Sequence, residues 1–473
     1  MPSIPSTFSL RRDVLIEEGY DLVVAGGGPA GAAAAICAGR LGAKVLLVES
    51  TGCLGGMGTS GLVTAFDPMA NGEEMLVGGF MRELVETMYT RGFMMPGIDP
   101  DCWRKRYHAW SPFRVEGLKL LLDEFVQEAS VEVRFFTRLI DADAATDQGV
   151  LNGVILHNIE GYRYVRARTF IDATGDAILA NLVGVPCREA GRDSAGIMPA
   201  TLASLFTGID WETLYDKKND NEGWHTQQAA YKKALANGHF TQHDRLMPGL
   251  SKVGQGVGYL NGGHIFNLNA LRCRELSDGI MLGRKLAREY LDFFRQYVPG
   301  CAHMEHITTA SLLGVRESRR IVGEYELGID DYLARRQFPD QIGLFNKFVD
   351  IHPYDCSDEE WDRFLLEKDK TMRLQPGEKF GIPYGILVPR GWRNFWVAGR
   401  CASSDVQVHG SIRVQPAASM MGQAAGTAAV QSIRTGQAGC ELDTAALVTT
   451  LREAKAYLPQ VTLSGEMTRN QGK

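Results

Sequence analysis

Asp21-Leu-Val-Val-Ala-Gly-Gly-Gly-Pro-Ala-Gly31 is the stretch of sequence that decides the fold of this chain. It opens with a short apolar run rich in β-branched residues, which is typical of a buried parallel strand. Gly26, Gly28 and Gly31 then fill the spacing GxGxxG. In this spacing the first glycine permits a tight turn, the second lets backbone approach a pyrophosphate, and the third lets helix pack on strand. The stretch therefore predicts a strand, a turn and a helix whose N-terminus can bind phosphate.

The residues that follow complete a dinucleotide-binding unit. Ala30 to Leu41 predicts the helix and Val45 to Val48 predicts a second strand. Glu49 ends that strand at the position where a carboxylate accepts hydrogen bonds from the ribose hydroxyls of a dinucleotide. A carboxylate here disfavours NADP, whose additional phosphate it would repel, and suits NAD and FAD equally.

Length, charge and cysteine content exclude several classes of protein. A chain of 473 residues predicts two or three domains, and a net charge of −6 offers no basic surface for nucleic acid. None of the nine cysteines forms a CxxC pair, which favours free thiols in a reducing compartment. Arg11-Arg12 precedes acidic residues rather than an apolar signal segment, and no apolar run reaches the length of a membrane span. We expect a cytoplasmic enzyme with a small-molecule substrate and no nucleic-acid or membrane partner; homo-oligomerisation stays open.

Changes of pattern along the chain predict an interrupted α/β domain. Short alternating runs near 138–142, 150–157 and 162–167 predict a β-meander inserted into the sheet. Strand-like runs and long polar helices alternate after Pro186, which indicates a separate α+β substrate domain. The predicted boundaries are 1–19 for an N-terminal arm, 20–185 and 380–436 for a discontinuous Rossmann-like domain, 186–379 for the substrate or cap domain, and 437–473 for a C-terminal helical tail.

Three further segments have unusual composition. The loop 51–61 is dense in glycine, so its backbone can lie against something flat or close. Residues 314–325 combine arginines and carboxylates with apolar residues, which indicates partial burial rather than a solvated helix face. The helix expected after Pro416 consists almost entirely of small residues, which indicates close approach to another backbone or to a cofactor.

From about residue 20 to 432 the chain resembles the FAD-dependent oxidoreductase family of the glutathione-reductase/fumarate-reductase type. Five segments carry the resemblance: the GGGPAG fingerprint with Glu49, Leu-Gly-Gly-Met at 54–57, Ile-Asp-Ala-Thr-Gly-Asp at 171–176, Gly-Val-Arg-Glu-Ser-Arg-Arg-Ile-Val-Gly-Glu-Tyr at 314–325, and Ala-Gly-Arg…His-Gly-Ser-Ile-Arg-Val…Gly-Gln-Ala-Ala-Gly at 398–426. The resemblance implies a Rossmann-like FAD-binding domain with an inserted meander and an inserted substrate domain.

The resemblance also implies roles for residues in these segments. Glu49 would bind the adenosine ribose, the 54–59 loop would line the flavin, and Leu139 would pair its backbone with adenine. The helix near Pro416 would direct its N-terminus at the pyrimidine edge of the flavin, where a helix dipole stabilises negative charge. The implied cofactor-binding residues are Gly26, Gly28, Pro29, Ala30, Gly31, Glu49, Gly55, Gly56, Met57, Thr59, Leu139, Ala173, Thr174, Gly175, Asp176, Gly399, Arg400, Arg413 and Gln415.

The sequence departs from the resembled families at two points. Fumarate reductases attach FAD covalently to a histidine after the second strand, whereas the first histidine here is His108, so we expect non-covalent FAD. Glutathione-reductase-type enzymes carry a second GxGxxG for a nicotinamide cofactor and a CxxC pair. Gly254-Gln-Gly-Val-Gly258 is the nearest imitation, and no strand pattern precedes it, so we expect no separate nicotinamide domain.

Five residues are candidates for the chemistry. His409-Gly-Ser-Ile-Arg413 is similar to the His-Gly-x-x-Arg of fumarate reductase flavoproteins, in which both residues face the substrate. His409, His352 and His264 are candidate proton donors or acceptors, although each histidine alone also fits a structural role. Arg316 and Arg413 can hold a carboxylate or polarise a carbonyl.

These residues support three functional hypotheses. The leading one is an FAD-dependent dehydrogenase, oxidase or reductase that transfers hydride between flavin N5 and an alcohol, sugar or organic acid. The alternatives are a flavin-dependent monooxygenase or hydroxylase and an electron-transfer subunit without a substrate of its own.

Overall fold

A computed structural model describes residues 8–105, 110–215, 223–369 and 373–460. The first elements in chain order are β1 (Leu15–Ala25), α1 (Pro29–Arg40), β2 (Val45–Val48), β3 (Ala65–Phe66), α2 (Gly79–Thr90), α3 (Pro100–Lys105), β4 (Ser111–Pro112), α4 (Val115–Glu128), β5 (Glu132–Arg134), β6 (Arg138–Ala145), β7 (Val150–Asn158) and β8 (Gly161–Asp172). The others are α5 (Ile178–Leu182), β9 (Cys187–Glu189), β10 (Ala200–Thr201), β11 (Ser204–Thr207), α6 (Trp211–Leu214), α7 (Trp224–Ala236), β12 (Ser251–Gly254), β13 (Val257–Leu260), β14 (His264–Ile265), α8 (Cys273–Tyr297), β15 (Glu305–Thr309), β16 (Arg319–Ile321), α9 (Ile329–Leu333), β17 (Gln341–Phe345), α10 (Asp358–Asp369), β18 (Phe380–Pro383), β19 (Phe395–Val397), α11 (Val406–Ile412), α12 (Gln415–Thr435) and α13 (Thr444–Glu453).

The central sheet joins residues from both ends of the chain. Its strand order is β5-β2-β1-β8-β7-β6, and β19 pairs with β8. The pairs β5/β2, β2/β1, β1/β8 and β8/β19 are parallel, whereas β8, β7 and β6 form an antiparallel meander. The buried parts of β1, β2 and β19, residues 22–25, 45–48 and 395–397, are continuous apolar runs, as expected for strands covered on both faces. The fold is therefore α/β, with a Rossmann-like unit and an inserted meander as predicted.

Helices α1 and α12 cover one face of the parallel sheet, and their backbones are in direct contact with each other. A Cβ placed on Gly422 of α12 would lie 2.0 Å from the carbonyl oxygen of Ala30 in α1, and one on Gly426 would lie 2.3 Å from that of Ala34. The small residues of α12 therefore serve the approach of another backbone, one of the two explanations that the sequence left open. In the described part of the chain, no helix combines the length and the apolar character needed to cross a membrane.

The segment between β8 and β19 forms the other part of the molecule. Its four-stranded antiparallel sheet has the order β12-β13-β11-β15 and shares an aromatic core with α7 and α8. Gly254 to Gly258, the glycine-rich imitation of a dinucleotide motif, forms the turn between antiparallel strands β12 and β13. This turn is thus a hairpin and not a phosphate loop.

Several predicted boundaries require correction. The arm predicted over 1–19 is shorter, because β1 already begins at Leu15. The largely exposed first residues of β1, 15–17, pair with β8. The run predicted near 162–167 is part of a longer strand, β8, which continues to Asp172. β8 pairs with β7 over 161–166, with β1 over 163–172 and with β19 over 170–172. In the described part of the helical tail predicted over 437–473, a single 3-10 turn at Gly439–Glu441 precedes α13, which ends at Glu453, and residues 461–473 lie outside the described part.

Candidate active site

The GxGxxG turn leaves room for a ligand at one glycine only. A Cβ on Gly31 would lie 1.7 Å from the carbonyl oxygen of Gly26, so this glycine is required for α1 to pack on β1. Gly26 has a φ of +95°, and a Cβ there would lie 2.6 Å from the carbonyl oxygen of Ala173. A Cβ on Gly28, in contrast, would have no protein atom within 4 Å. Open space therefore faces the N-terminus of α1, where Pro29 and Ala30 begin the helix.

Glu49 lies buried at the end of β2 with a ligand-compatible carboxylate. One oxygen accepts a hydrogen bond from the backbone N–H of Gly27 and the other from that of Thr51, both at 2.7 Å. The oxygen bonded to Thr51 also accepts from the hydroxyl of Ser50 at 3.3 Å, so the oxygen bonded to Gly27 retains a lone pair for a further donor such as a ribose hydroxyl. The carbonyl of Glu49 accepts from the N–H of Thr137 at 3.0 Å, which places Leu139, at the start of β6, close to the same edge.

A third part of the predicted cofactor site follows β8. Asp172 is fully buried and accepts hydrogen bonds from the N–H and hydroxyl of Thr174, so it fixes the turn that contains Ala173 to Asp176. Asp176 pairs with Arg400 at 2.6 Å, beside Gly399 and the end of β19. These residues, which are far apart in sequence, therefore meet at the carboxyl ends of β1, β8 and β19, as predicted for a ligand site in an open parallel sheet.

Residues 51–61, which we call the glycine loop, contact the N-terminus of α12. A Cβ on Gly56 would lie 2.9 Å from Cα of Gly28, and one on Gly58 would lie 2.4 Å from Oε1 of Gln415. Gln415 donates from its side chain to the carbonyls of Val63 and Ala65, at 2.8 and 3.2 Å. The loop is thereby held between α1 and α12. Three other residues of this loop were predicted to bind the cofactor. Gly55 has a left-handed backbone, the hydroxyl of Thr59 donates to the carbonyl of Leu54 at 2.6 Å, and Met57 lies near Gly314.

The turn at Gly28 fits the pyrophosphate of FAD. Gly28 leaves open space in front of helix N–H groups that attract a pyrophosphate. The buried hydroxyl of Ser419, in the second turn of α12, has no partner among the described residues and lines a cavity of about 20 Å³ with Pro29, Gly55 and Gln415. A cavity of this size holds about one water molecule, so the fit to FAD rests on the open space at Gly28.

Four side chains of the inserted segment and that of Arg413, the C-cap of α11, form a largely buried polar chain. Asp244 Oδ1 lies 3.2 Å from Nδ1 of His264, and Nε2 of His264 lies 2.9 Å from Nδ1 of His352. Nε2 of His352 lies 3.5 Å from Oδ1 of Asp350, whose Oδ2 accepts from Arg413 at 3.0 Å. We call this series, Asp244–His264–His352–Asp350–Arg413, the polar chain. The structure brings three of the five predicted catalytic residues into it.

Burial keeps both histidines of the polar chain neutral at neutral pH. Burial, reinforced by the positive charge of Arg316, lowers the pKa of His352 to about 3. Burial also lowers the pKa of His264, although Asp244 opposes the shift. Burial alone would raise the pKa of Asp350, but His352 in its protonated form and Arg413 outweigh it and hold that pKa well below its usual range. Neutral histidines between ionised carboxylates can accept a proton.

Arg316 and His409, the other two predicted catalytic residues, lie next to the polar chain. Arg316 is buried, donates to the carbonyl of Pro199 at 2.5 Å and has no carboxylate ion-pair partner among the described residues. Burial and the nearby Arg413 lower its pKa to about 10, so it is still a cation at neutral pH. His409 is buried in α11, and its Nε2 lies 3.0 Å from the carbonyl oxygen of Arg316. The structure therefore places His409 outside the polar chain, next to the backbone of Arg316.

The polar chain adjoins the predicted flavin site through α11 and α12. Arg413 ends α11 and lies two residues before Gln415, whose side chain contacts the strand that follows the glycine loop. A Cβ on Gly314, two residues before Arg316, would lie 3.6 Å from the methyl group of Met57 in that loop. The candidate active site therefore lies between the glycine loop, the N-terminus of α12 and the inserted segment.

Sequence reasoning missed the two carboxylates of the polar chain. Asp350 lies two residues before His352, and that short spacing was the available signal. Asp244 lies in a loop between α7 and β12 without any motif, and only the fold brings it to His264. A further buried ion pair between Lys347 and Asp67, also without a sequence signal, lies on the same side of the site.

Solved structures resemble this chain at low sequence identity. A geranylgeranyl bacteriochlorophyll reductase-like protein from Thermoplasma acidophilum is 13% identical, with a TM-score of 0.45, over 93% of this chain and 83% of the other. The flavin-dependent brominase Bmp2 is 14% identical, with a TM-score of 0.45, over 92% and 83%. p-Nitrophenol 4-monooxygenase from Pseudomonas putida DLL-E4 is 12% identical, with a TM-score of 0.44, over 92% and 81%. At this level the likeness concerns the fold alone.

The sequence comparison is more specific. No curated relative matches the chain. The sequence profile of a family described as FAD dependent oxidoreductase, in contrast, matches residues 21–451, which include the GxGxxG turn, the glycine loop, the polar chain and α12. FAD is accordingly the cofactor for which the groove is built, and the chain belongs to the FAD-dependent oxidoreductase family.

Proposed function

We propose that this FAD-dependent oxidoreductase acts on a small polar metabolite, an alcohol, sugar or organic acid, at the polar chain. The observation that carries the proposal is the row of contacts from Asp244 to Arg413 beside the N-terminus of α12. FAD, when bound, supplies the hydride acceptor or donor of the reaction. The residues of the chain supply binding, charge and a route for the proton.

Arg316 is the residue best suited to hold an anionic group of the substrate. It is a buried cation that donates to a carbonyl and makes no direct ion pair with a described carboxylate, so Asp350 and Asp244 compensate its charge only from a distance. A buried cation is stabilised by an anionic ligand or by a negatively charged oxygen that develops during reaction. Arg413 is already paired with Asp350 and is better placed to orient that carboxylate.

His352 is the residue best suited to exchange a proton with the substrate. Its side chain is 12% exposed, whereas those of His264 and Asp244 are only 2% and 4% exposed. The polar chain therefore reaches the open part of the site at His352 and Asp350. We propose His409 as a residue that positions Arg316, because it contacts the backbone of that arginine.

Two features of the cofactor and of specificity are part of the proposal. FAD is held without a covalent bond, and acid precipitation should then release the flavin into the supernatant. The segment 186–379 contributes four members of the polar chain, so it determines the choice of substrate.

The test is anaerobic reduction of the flavin-loaded protein by a panel of hydroxy acids, amino acids, sugars and alcohols. The proposal predicts that one class bleaches the flavin absorbance and that His352→Gln slows bleaching about 10²-fold or more, the usual contribution of a general acid or base. His157→Gln, a substitution of an exposed histidine of the meander, is the matched control and should bleach at the wild-type rate.

A flavin-dependent monooxygenase is the second candidate. It is the reaction named for the p-nitrophenol enzyme, whose likeness to this chain extends to the fold. Rapid bleaching by NADH or NADPH followed by consumption of oxygen and hydroxylation of an added aromatic compound would favour it. A protein that is bleached by neither the panel nor a nicotinamide would favour an electron-transfer subunit.

A further inference from the structure

The polar chain has fewer protons than it has contacts. Three gaps separate its four titratable members: Asp244 to His264, His264 to His352, and His352 to Asp350. Each gap requires one proton to become a hydrogen bond, because carboxylates and unprotonated imidazole nitrogens only accept. Two neutral imidazoles supply two protons. One gap is therefore left with two acceptors that face each other, and the chain has room for one additional proton.

The geometry identifies the gap without a proton. The first two gaps measure 3.2 and 2.9 Å, which are hydrogen-bond distances, whereas the third measures 3.5 Å. Asp350 forms an ion pair with Arg413. Among the described residues, Asp244 can form an ion pair with His264 alone. Asp244 therefore takes the N–H of His264, and the gap between His352 and Asp350 is the open one.

This assignment fixes both tautomers. His264 donates from Nδ1 to Asp244, so its Nε2 carries a lone pair. That lone pair accepts from Nδ1–H of His352, so Nε2 of His352 carries the lone pair that faces Asp350. The backbone N–H of His264 also donates to Asp244, at 3.2 Å, and this second contact holds the carboxylate in the orientation that the first requires.

We propose that Asp244 and His264 are positioning residues that hold His352 as its Nδ1–H tautomer and leave Nε2 as the proton acceptor for the substrate. The inference rests on the proposed function and deepens it. A proton released by a bound substrate bonds to Nε2 of His352, and the polar chain then contains three protons and three hydrogen bonds. In the opposite direction of reaction the same N–H returns the proton.

The charges around His352 agree with this role. His264 faces it from β14, Arg316 from the segment before β16, and Asp350 from its own loop, with Arg413 of α11 and Lys347 beyond Asp350. Arg316 disfavours a cationic His352 at rest, while Asp350 compensates the cation once a proton has arrived. The additional proton is therefore transient in the absence of a substrate.

Nuclear magnetic resonance of the flavin-loaded full chain, labelled with ¹⁵N at histidine, tests the assignment without any substrate. The resonances of His352 are assigned by their loss in His352→Gln. We expect a protonated Nδ1 and an unprotonated Nε2 near pH 7.5, with the same pattern for His264. A protonated Nε2 on His352 in the wild-type protein would overturn the inference.

Asp244→Asn tests whether the carboxylate sets the tautomer. We expect a mixture of tautomers or Nε2–H at His352, with the resonances of the distant His157 unchanged. An unchanged Nδ1–H tautomer at His352 in a variant that folds and retains flavin would contradict the positioning role. If Asp244→Asn does not fold, the wild-type spectrum alone still decides the inference. Because the readout is a tautomer, its failure is distinguishable from a failure to find the substrate.

Discussion

The pH dependence of stability gives the most quantitative test of the buried polar chain. His352 titrates at an ordinary value of 6.5 when exposed and at about 3 in the folded protein. Between these values the unfolded chain binds more protons at this site than the folded chain. The free energy of unfolding therefore falls as the pH falls, and the contribution of His352 is fully present only above its unfolded pKa.

The magnitude follows from the two pKa values. Each pH unit inside the window corresponds to about 1.4 kcal/mol per group, so His352 alone costs about 2.5 kcal/mol between pH 7 and pH 4.5. His352→Gln removes this titration and retains a neutral hydrogen-bonding side chain. We expect the loss of stability over this interval to be smaller in the variant by about that amount.

Urea unfolding followed by circular dichroism at both pH values, with the same excess of FAD, measures the effect. The comparison within each protein cancels the titration of groups that the two proteins share. His157→Gln reports the effect of removing a histidine outside the site. A variant that loses as much stability as the wild-type protein on acidification would refute the claim that His352 is buried as a neutral base.

Four other outcomes are expected from the same structure. Gly28→Ala should fold normally yet retain little flavin, because its Cβ would meet the cofactor and no protein atom, whereas Gly31→Ala should also lower the melting temperature because of the 1.7 Å contact with Gly26; both are read from the flavin absorbance and a thermal melt. Arg316→Met should raise the Kd of an anionic substrate or inhibitor at least tenfold in an anaerobic titration, and an unchanged Kd would remove Arg316 from substrate binding. Asp350→Asn should lower the limiting rate of flavin reduction by substrate and move the pH of half-maximal reduction downward, since the carboxylate raises the pKa of His352 and compensates its protonated form; both are read from anaerobic stopped-flow reduction as a function of pH. Purified protein should keep its oxidised flavin spectrum after addition of NADH or NADPH under nitrogen.

The nucleotide-binding part of the fold could be predicted from local sequence. The strand predicted at Val45 to Val48 has the bounds that the structure gives it, and the helix predicted from Ala30 is displaced by one residue. The glycine spacing, the apolar runs and the terminal Glu49 are all local signals. Each indicates a structure formed by residues that are close together in the sequence. Segments whose structure depends on distant partners were predicted less well.

Residues 314–325 illustrate why the site was harder to predict. The apolar residues among their charges indicated partial burial, and Arg316, Glu317 and Arg320 are buried. The sequence assigned no element to the segment, which forms β16 and its flanking loops, since β16 pairs with β9, more than a hundred residues earlier in the chain. Long-range pairing of this kind leaves no local periodicity to read.

The polar chain shows the same limit at the level of chemistry. His264 and His352 were candidates because histidines in such an enzyme are potential acids and bases, and nothing in their sequence spacing indicates that their rings meet at 2.9 Å. Asp244 had no signal, because its role arises only when the loop after α7 folds over β14. A residue type can be proposed from sequence, whereas a hydrogen-bond partner requires the fold.

The measurement that tests the central claim most directly is the anaerobic flavin spectrum of wild-type protein and His352→Gln during titration with the substrate panel. We predict that hydroxy acids, sugars or related polar compounds bleach the wild-type flavin and that the variant binds the same compound with a similar Kd but is reduced about 10²-fold more slowly. Equal rates of reduction in the two proteins, or bleaching by a nicotinamide alone, would contradict the account.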